Sequence, residues 1–335
     1  MRLEERLLPE PKENEVVVKM KVAAVCGSDL SAYRMNKASS RFSPPIVLGH
    51  EVAGEIAACG KNAKKFAIGT RVSANPILYC GGCFYCKRGE INLCENRNSF
   101  GTSIGGKRVD GAMQEFFAIR EEAIVPLSGE ISFEEGAFLE PLAVCLNSAR
   151  AGSFGRGERV VVIGAGPIGL LNVKFLKMMG ASCIIVSDIV DAKLEFAKKY
   201  GADAAVNVQR DSLIETTNRL TLGVGADRVI VASGNQSAIS LTFSLVRNGG
   251  CVVLVALPWG EVAINPKKLV TCGISIIGSY MFRWEQFEVM KMLAEGKIKV
   301  RDMITLRCPL PESEGLFDKL SAPDWNGVKA ILTCD

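Results

Sequence analysis

A chain of 335 residues exceeds the roughly 100 to 200 residues of one ordinary domain, so two domains are expected. Apolar residues make up 48% of it and charged residues 23%, a globular balance that excludes disordered, collagen-like and coiled-coil classes. Forty Lys and Arg stand against 36 Asp and Glu, a formal charge of +4 with the cations scattered, which argues against a nucleic-acid partner.

The opening Met1-Arg-Leu-Glu-Glu-Arg6 carries charge where a secretory leader needs an apolar core. No apolar run approaches the roughly 18 residues of a membrane span, so a cytoplasmic protein without a membrane partner is expected. In a reducing compartment, clustered cysteines point to metal or catalysis rather than to cross-links. Of the 12 cysteines, Cys80, Cys83, Cys86 and Cys94 cluster; Cys59, Cys145, Cys183, Cys251, Cys272, Cys308 and Cys334 lie singly and read as small buried hydrophobes.

Along the chain, residues up to about 146 hold short β-like runs and turns, with strands expected near 15–25 and 71–74 and an apolar, glycine-containing run at 46–57. From about residue 148, apolar runs alternate with amphipathic stretches, the pattern of βαβ units and a parallel sheet. Strands are expected at 159–163, 182–188, 228–232, 251–256 and 275–278, and helices at 167–179 and 191–200. A helix at 284–295 then leads into a tail of short strands ending at 328–333, whose texture matches the first segment.

Residues 160–170, Val-Val-Val-Ile-Gly-Ala-Gly-Pro-Ile-Gly-Leu, place G-x-G-x-x-G between an apolar strand and a helix. Gly164 permits the tight turn, Gly166 lets backbone approach a pyrophosphate, and Gly169 allows close helix packing. Pro167 and Ile168 open the helix, whose free N–H groups face the phosphates. Asp188 ends the next strand, where a carboxylate accepts hydrogen bonds from ribose hydroxyls and repels a 2′-phosphate, favouring NAD over NADP. Lys193 and Arg210 are the cations that argue the other way.

Cys80, Cys83, Cys86 and Cys94 form C-x2-C-x2-C-x7-C, four thiolates able to close a tetrahedron around one ion and leave no open position. Zinc fits a structural site of this kind; an iron–sulfur cluster uses similar spacings, but nothing else in the chain suggests electron transfer. His50 is the only histidine. An isolated histidine is ordinarily a hydrogen-bonded core residue. Here Cys26-Gly-Ser28-Asp lies upstream, Glu51 is adjacent, and Glu140 lies downstream in an apolar setting, a set that makes an open metal site able to accept an alcohol oxygen.

In their order, Cys26-Gly-Ser-Asp, Gly49-His-Glu, the four-cysteine stretch, Glu140-Pro-Leu, the glycine turn and the closing Val328-Lys-Ala-Ile-Leu-Thr-Cys-Asp resemble the zinc-dependent medium-chain dehydrogenases, in their sorbitol and threonine dehydrogenase branch. The resemblance implies an α/β protein with a mostly-β, GroES-like catalytic domain (1–146 and 283–335). A Rossmann-type, doubly wound NAD-binding domain (147–282) is inserted into it, and the active site lies between the two. It also implies two zinc ions per chain, one structural on the four cysteines and one catalytic on Cys26 and His50 with Glu51 and Glu140 as ligand or water-holder. The chain then oxidises a secondary hydroxyl of a small polar alcohol to a ketone, with Ser28 carrying the proton outward.

Two features depart from the branch. The first strand usual in the family is not expected in this sequence, which would leave an edge that is covered or frayed. Threonine-type members carry a histidine where this chain has Ser31, which weakens that alternative. A non-catalytic NAD- and zinc-binding sensor is the rival from another class, and no ligand is lost as it would require. Arg34, Lys37 and Arg41, with Arg283 and Trp284, are candidates for substrate contact. The strand at 275–278 is a sheet edge suited to a homodimer or homotetramer.

Overall fold

The computed structural model describes residues 1–335 apart from 36–41, 105–106, 259, 323 and 335, so that Lys37 and Arg41 lie outside the described residues. In chain order the strands are β1 (Glu15–Ala24), β2 (Glu51–Cys59), β3 (Arg71–Ala74), β4 (Ile77–Leu78), β5 (Asn98–Ser99), β6 (Phe116–Arg120) and β7 (Ile124–Pro126). There follow β8 (Arg159–Ile163), β9 (Cys183–Asp188), β10 (Ala204–Asn207), β11 (Ala226–Val231), β12 (Val246–Leu254) and β13 (Ser275–Gly278). The chain closes with β14 (Ile304–Pro309) and β15 (Lys329–Thr333). They fall into two compact units, one of Met1–Ala143 with Phe282–Asp335 and one of Val144–Met281.

The first unit is built on a mixed sheet in the order β14-β15-β1-β2-β3-β7, with β6 also pairing β1. Val16, Val18, Met20, Ile56, Val72, Phe117, Phe317 and Leu332 form its buried core, each large side chain contributing about 1.5 to 3 kcal/mol by leaving water. Ala24 pairs with Glu51 of β2 on one side and Ile331 of β15 on the other, so the end of β1, the start of β2 and the start of β15 meet at one rim. Chain ends far apart in sequence are joined there. No strand among the described residues precedes β1, which lies inside the sheet between β15 and β2.

The second unit is a six-stranded, wholly parallel sheet in the order β10-β9-β8-β11-β12-β13, two βαβ halves that diverge from β8 and β11. Its strands are apolar runs because both faces are covered; Val160, Val161, Val162, Ile185, Val229, Val252 and Val253 are essentially inaccessible to solvent. The helix Pro167–Met179 buries Leu170, Leu171, Val173, Phe175 and Leu176 and ends on Gly180 in the left-handed region.

The expected α/β architecture is present, with differences at several ends. β12 begins at Val246, earlier than the predicted 251, because Asn248-Gly249-Gly250 has the composition of a turn while standing inside a strand. β10 and the helices Leu213–Leu220, Gln236–Thr242 and Pro266–Cys272 carry too few residues for a period to show in the sequence. The predicted helix at 284–295 is Glu285–Ala294. Of the seven single cysteines only Cys145 is fully buried; the others are half-buried at element surfaces, a correction to the reading of all seven as core. Among the described residues no helix is long and apolar enough to cross a membrane.

Candidate metal and dinucleotide sites

Cys26 follows the end of β1, and Asp29 ties down the turn after it: the Cys26 N–H donates to Asp29 Oδ2 at 2.9 Å, and the Asp29 N–H returns to the Cys26 carbonyl at 3.1 Å. Residues Gly27–Met35 then form a helix, with Ser28 in its first turn. His50 and Glu51 stand at the start of β2. The ligand atoms of Cys26, His50 and Glu51 all lie within 4.8 Å of one another.

His50 is flanked on both sides, with no hydrogen bond made at its Nδ1. Its Nδ1 faces Asp29 Oδ1 at 3.6 Å, and its Nε2 lies 3.4 Å from the Ser28 hydroxyl. Asp29 is fully buried, and burial raises its carboxyl while His50 opposes the shift. Glu51 forms a buried ion pair with Lys329, and its other oxygen, Oε1, makes no hydrogen bond within the protein.

Burial pushes the Cys26 thiol up to about 12, with the Glu51 carboxylate adding to it, and pushes the Glu140 carboxyl up to about 8 against the pull of His50. Glu140 lies in the helix Leu139–Arg150, which follows a short helix started by a Ser132/Glu135 capping box. It stands outside the three-atom group yet close enough to sense the charges of Cys26, His50 and Glu51.

The Cys26 thiol and the Glu140 carboxyl, raised by desolvation, together with the His50 imidazole and the unbonded Glu51 Oε1, are a donor set that a cation relieves. Sulfur, nitrogen and oxygen suit zinc at about 2.0 to 2.3 Å, and with only three protein ligands in the group a position stays open. The residues present fit such an ion. Lys329 was not foreseen; its signal was a single charge in the otherwise apolar run Val328-Lys-Ala-Ile-Leu. Asp29 stands in Cys26-Gly-Ser-Asp, where the sequence alone gives it no role.

The four-cysteine stretch carries the short helix Phe84–Lys87 and a single 3-10 turn at Ile91–Leu93. The four sulfurs lie within 4.8 Å of one another, and Cys94 Sγ is 3.6 Å from Cys80 Sγ, close to the roughly 3.8 Å edge of a tetrahedron with bonds of about 2.3 Å. Backbone N–H groups of Gly82 and Cys83 draw Cys80 down to about 6, whereas desolvation pushes Cys86 up to about 12. All four are free thiols. This donor set also fits zinc, with no position left for a substrate.

In the second unit the glycine turn joins β8 to its helix. Gly164 has φ +102°, and a Cβ on Gly169 would collide with the Gly164 carbonyl oxygen; a Cβ on Gly166 would meet nothing within 4 Å. Gly166 is the N-cap and Pro167 the first helical residue, an arrangement in which the first-turn N–H groups have no partner within the helix. Asp188 ends β9. Its Oδ2 accepts from the Ala165 N–H at 2.7 Å, and its Oδ1 from Ile189 and Val190 at 2.8 and 3.0 Å, which locks the carboxylate beside the glycine turn. Lys193 is half-buried in the first turn of the helix Asp191–Lys199.

Of the cations expected near a substrate, the two among the described residues, Arg34 and Arg283, have partners. Arg34 donates to the Ser321 carbonyl at 3.4 Å, and Arg283 lies 4.0 Å from Glu90. Trp284 packs edge-on against Tyr79, with ring centroids 6.1 Å apart. Ser31 donates back to the Gly27 carbonyl of its own helix.

Residues 12–129 match the family profile described as alcohol dehydrogenase GroES-like domain, and residues 167–295 match zinc-binding dehydrogenase. The chain is 30% identical to a sorbitol dehydrogenase of Bacillus subtilis over 95% of this chain and 90% of that protein. It is 32% identical to a D-arabitol-phosphate dehydrogenase of Enterococcus avium over 97% of this chain and 91% of that one. Among solved structures, galactitol-1-phosphate dehydrogenase of Escherichia coli superimposes with a TM-score of 0.90 at 26% identity, covering 99% of this chain and 96% of the other.

Proposed function

The chain belongs to the zinc-binding dehydrogenases, and from that premise we propose that it oxidises a secondary hydroxyl of a polyol, sugar phosphate or sugar acid to a ketone, passing the hydride to NAD. The observation that carries the reading is the coexistence of two donor sets, a saturated one of four sulfurs and an open one of Cys26, His50 and Glu51. An enzyme needs the second.

In this reading the segments 1–146 and 283–335 serve catalysis and 147–282 holds the dinucleotide. Zinc on Cys26 and His50, completed by Glu51 or Glu140, supplies the Lewis acidity that lowers an alcohol pKa, and NAD supplies the hydride acceptor. The protein residues do the rest. Asp29 orients the His50 ring, as partners of liganding imidazoles do. The Ser28 hydroxyl, 3.4 Å from His50 Nε2, takes the substrate proton and passes it outward. Lys329 sets where the Glu51 carboxylate points. Gly164, Gly166, Pro167, Ile168 and Gly169 seat the pyrophosphate, and Asp188, with Lys193 near it, seats the adenosine ribose.

A homodimer or homotetramer built on the β13 edge is part of the proposal, since β13 ends the parallel sheet. So is a cytoplasmic location, which keeps the twelve thiols reduced.

Zinc analysis with NADH formation across polyols, sugar phosphates, aldonates and threonine tests the function. Two zincs per chain and turnover on one of the first three classes support it. One zinc and no turnover would leave the non-catalytic sensor, and turnover on threonine alone the amino-alcohol reading.

A further inference from the structure

The ends of β9 and β10 lie side by side, Asp188 paired with Asn207 in parallel register, and the Val208 N–H donates to the Asp188 carbonyl at 3.2 Å. Arg210, three residues beyond that pair, is thereby brought to the rim where Asp188 ends its strand. A guanidinium there has the planar fork that binds a phosphate with two hydrogen bonds.

It is occupied. Arg210 Nη1 donates to Asp191 Oδ2 at 2.8 Å, and Nη2 donates to Oδ1 at 2.7 Å. Asn207 Nδ2 also donates to Asp191 Oδ1, at 2.9 Å, and reaches the Ile189 carbonyl at 3.3 Å. Asp191, three residues after Asp188, is the first residue of its helix, and both it and Arg210 are largely exposed. An exposed ion pair contributes little to stability, roughly 0 to 1 kcal/mol, so a two-point clamp braced by an amide is better explained by what it keeps the guanidinium from doing.

We propose that Asp191 is a second dinucleotide-specificity residue: by holding Arg210 it withholds from the ribose rim the cation that a 2′-phosphate would recruit. Asp188 excludes the 2′-phosphate by repulsion, and Asp191 excludes it by occupying its natural partner. The proposal rests on the reading that Asp188 faces the adenosine ribose.

The test is fluorescence titration of the full-length, zinc-loaded protein with NADH and NADPH, in four forms: wild type, D188N, D188N/D191N and D188N/D191N/R210A. D188N weakens NADH binding and narrows its preference over NADPH. Adding D191N tightens NADPH by about tenfold, changes NADH by less than about twofold, and the NADPH gain shrinks as salt rises. Adding R210A abolishes the gain.

If D188N behaves so and D191N leaves NADPH unchanged, or the gain survives R210A, the proposal is overturned while the ribose reading stands. If D188N alters neither affinity, the ribose reading falls and takes the proposal with it. Thermal midpoints of the four forms show that each is folded before its affinities are compared.

Discussion

Inside the first unit the Lys329 ammonium meets the Glu51 carboxylate, both side chains 1% exposed, although they come from opposite ends of the chain. The register of β15, β1 and β2 forces the encounter, because Ala24 of β1 pairs with Glu51 and Ile331 at once. Replacing Lys329 by Met keeps the volume and leaves Glu51 buried without its cation. We expect a loss of about 3 to 5 kcal/mol in urea unfolding, the range for breaking a buried pair from one side. Adding Glu51→Gln should recover part of it, and a double variant as unstable as the sum of the singles would show that the two residues are not coupled.

In the proposed reading Asp29, whose Oδ1 faces His50 Nδ1 at 3.6 Å, acts on the metal through that imidazole. Asp29→Asn keeps a carbonyl oxygen for the Cys26 N–H but removes the charge beside Nδ1. Zinc affinity at this site should drop by about 10- to 100-fold, read by chelator competition, while the zinc on the four cysteines stays. Unchanged competition curves would mean that Asp29 serves only the turn.

The two metal sites should empty independently. Cys83→Ser is expected to remove one zinc per chain and make residues 80–94 susceptible to proteolysis, since this stretch holds little regular structure beyond one short helix. Cys26→Ser should remove the other zinc and abolish turnover while NADH still binds. Loss of both metals in either variant would contradict two separate sites.

The glycines of the candidate dinucleotide turn should separate fold from function. Gly166→Ala places its methyl in open space, so the thermal midpoint should hold while NADH binding weakens by about tenfold or more, an expectation drawn from the close approach of pyrophosphate. Gly169→Ala drives its methyl into the Gly164 carbonyl and should lower both stability and binding. Equal effects from the two substitutions would remove Gly166 from the binding surface.

Asp227 gives an acid-sensitive contribution to the second unit. Burial raises its carboxyl, but hydrogen bonds from the Arg159 side chain and N–H and from Arg247 outweigh it and bring it to about 2. A depressed carboxylate stabilises the fold above its unfolded value and loses that contribution as pH falls from about 4 to about 2. Asp227→Asn should therefore cost about 1 kcal/mol at pH 7, after allowance for solvent screening, and nothing near pH 2. A gap between wild type and variant that persists at pH 2 would assign the effect to shape rather than charge.

Much of the candidate chemistry was legible because it is local. The spacing of Cys80, Cys83, Cys86 and Cys94 and the strand–glycine–helix order at Gly164–Gly166–Gly169 depend on neighbours within about fifteen residues, and short-range geometry leaves its mark in the sequence. β10 was not legible, at four residues too short to show a period, and neither was the first half of β12, where paired glycines imitate a turn.

What the sequence determined by itself is the inventory: four clustered sulfurs, one histidine, a glycine turn, and an acid ending the following strand. Tertiary structure decided how that inventory is wired. It chose Lys329 as the partner of Glu51, set Glu140 outside the compact group of three donors, and gave Arg210 to Asp191. The reason is physical. Strand pairing brings distant residues together at the exposed rim of Asp191 and Arg210 as in the interior, and where Glu51 and Lys329 are desolvated a charge must find an opposite charge, a requirement that no spacing along the chain records.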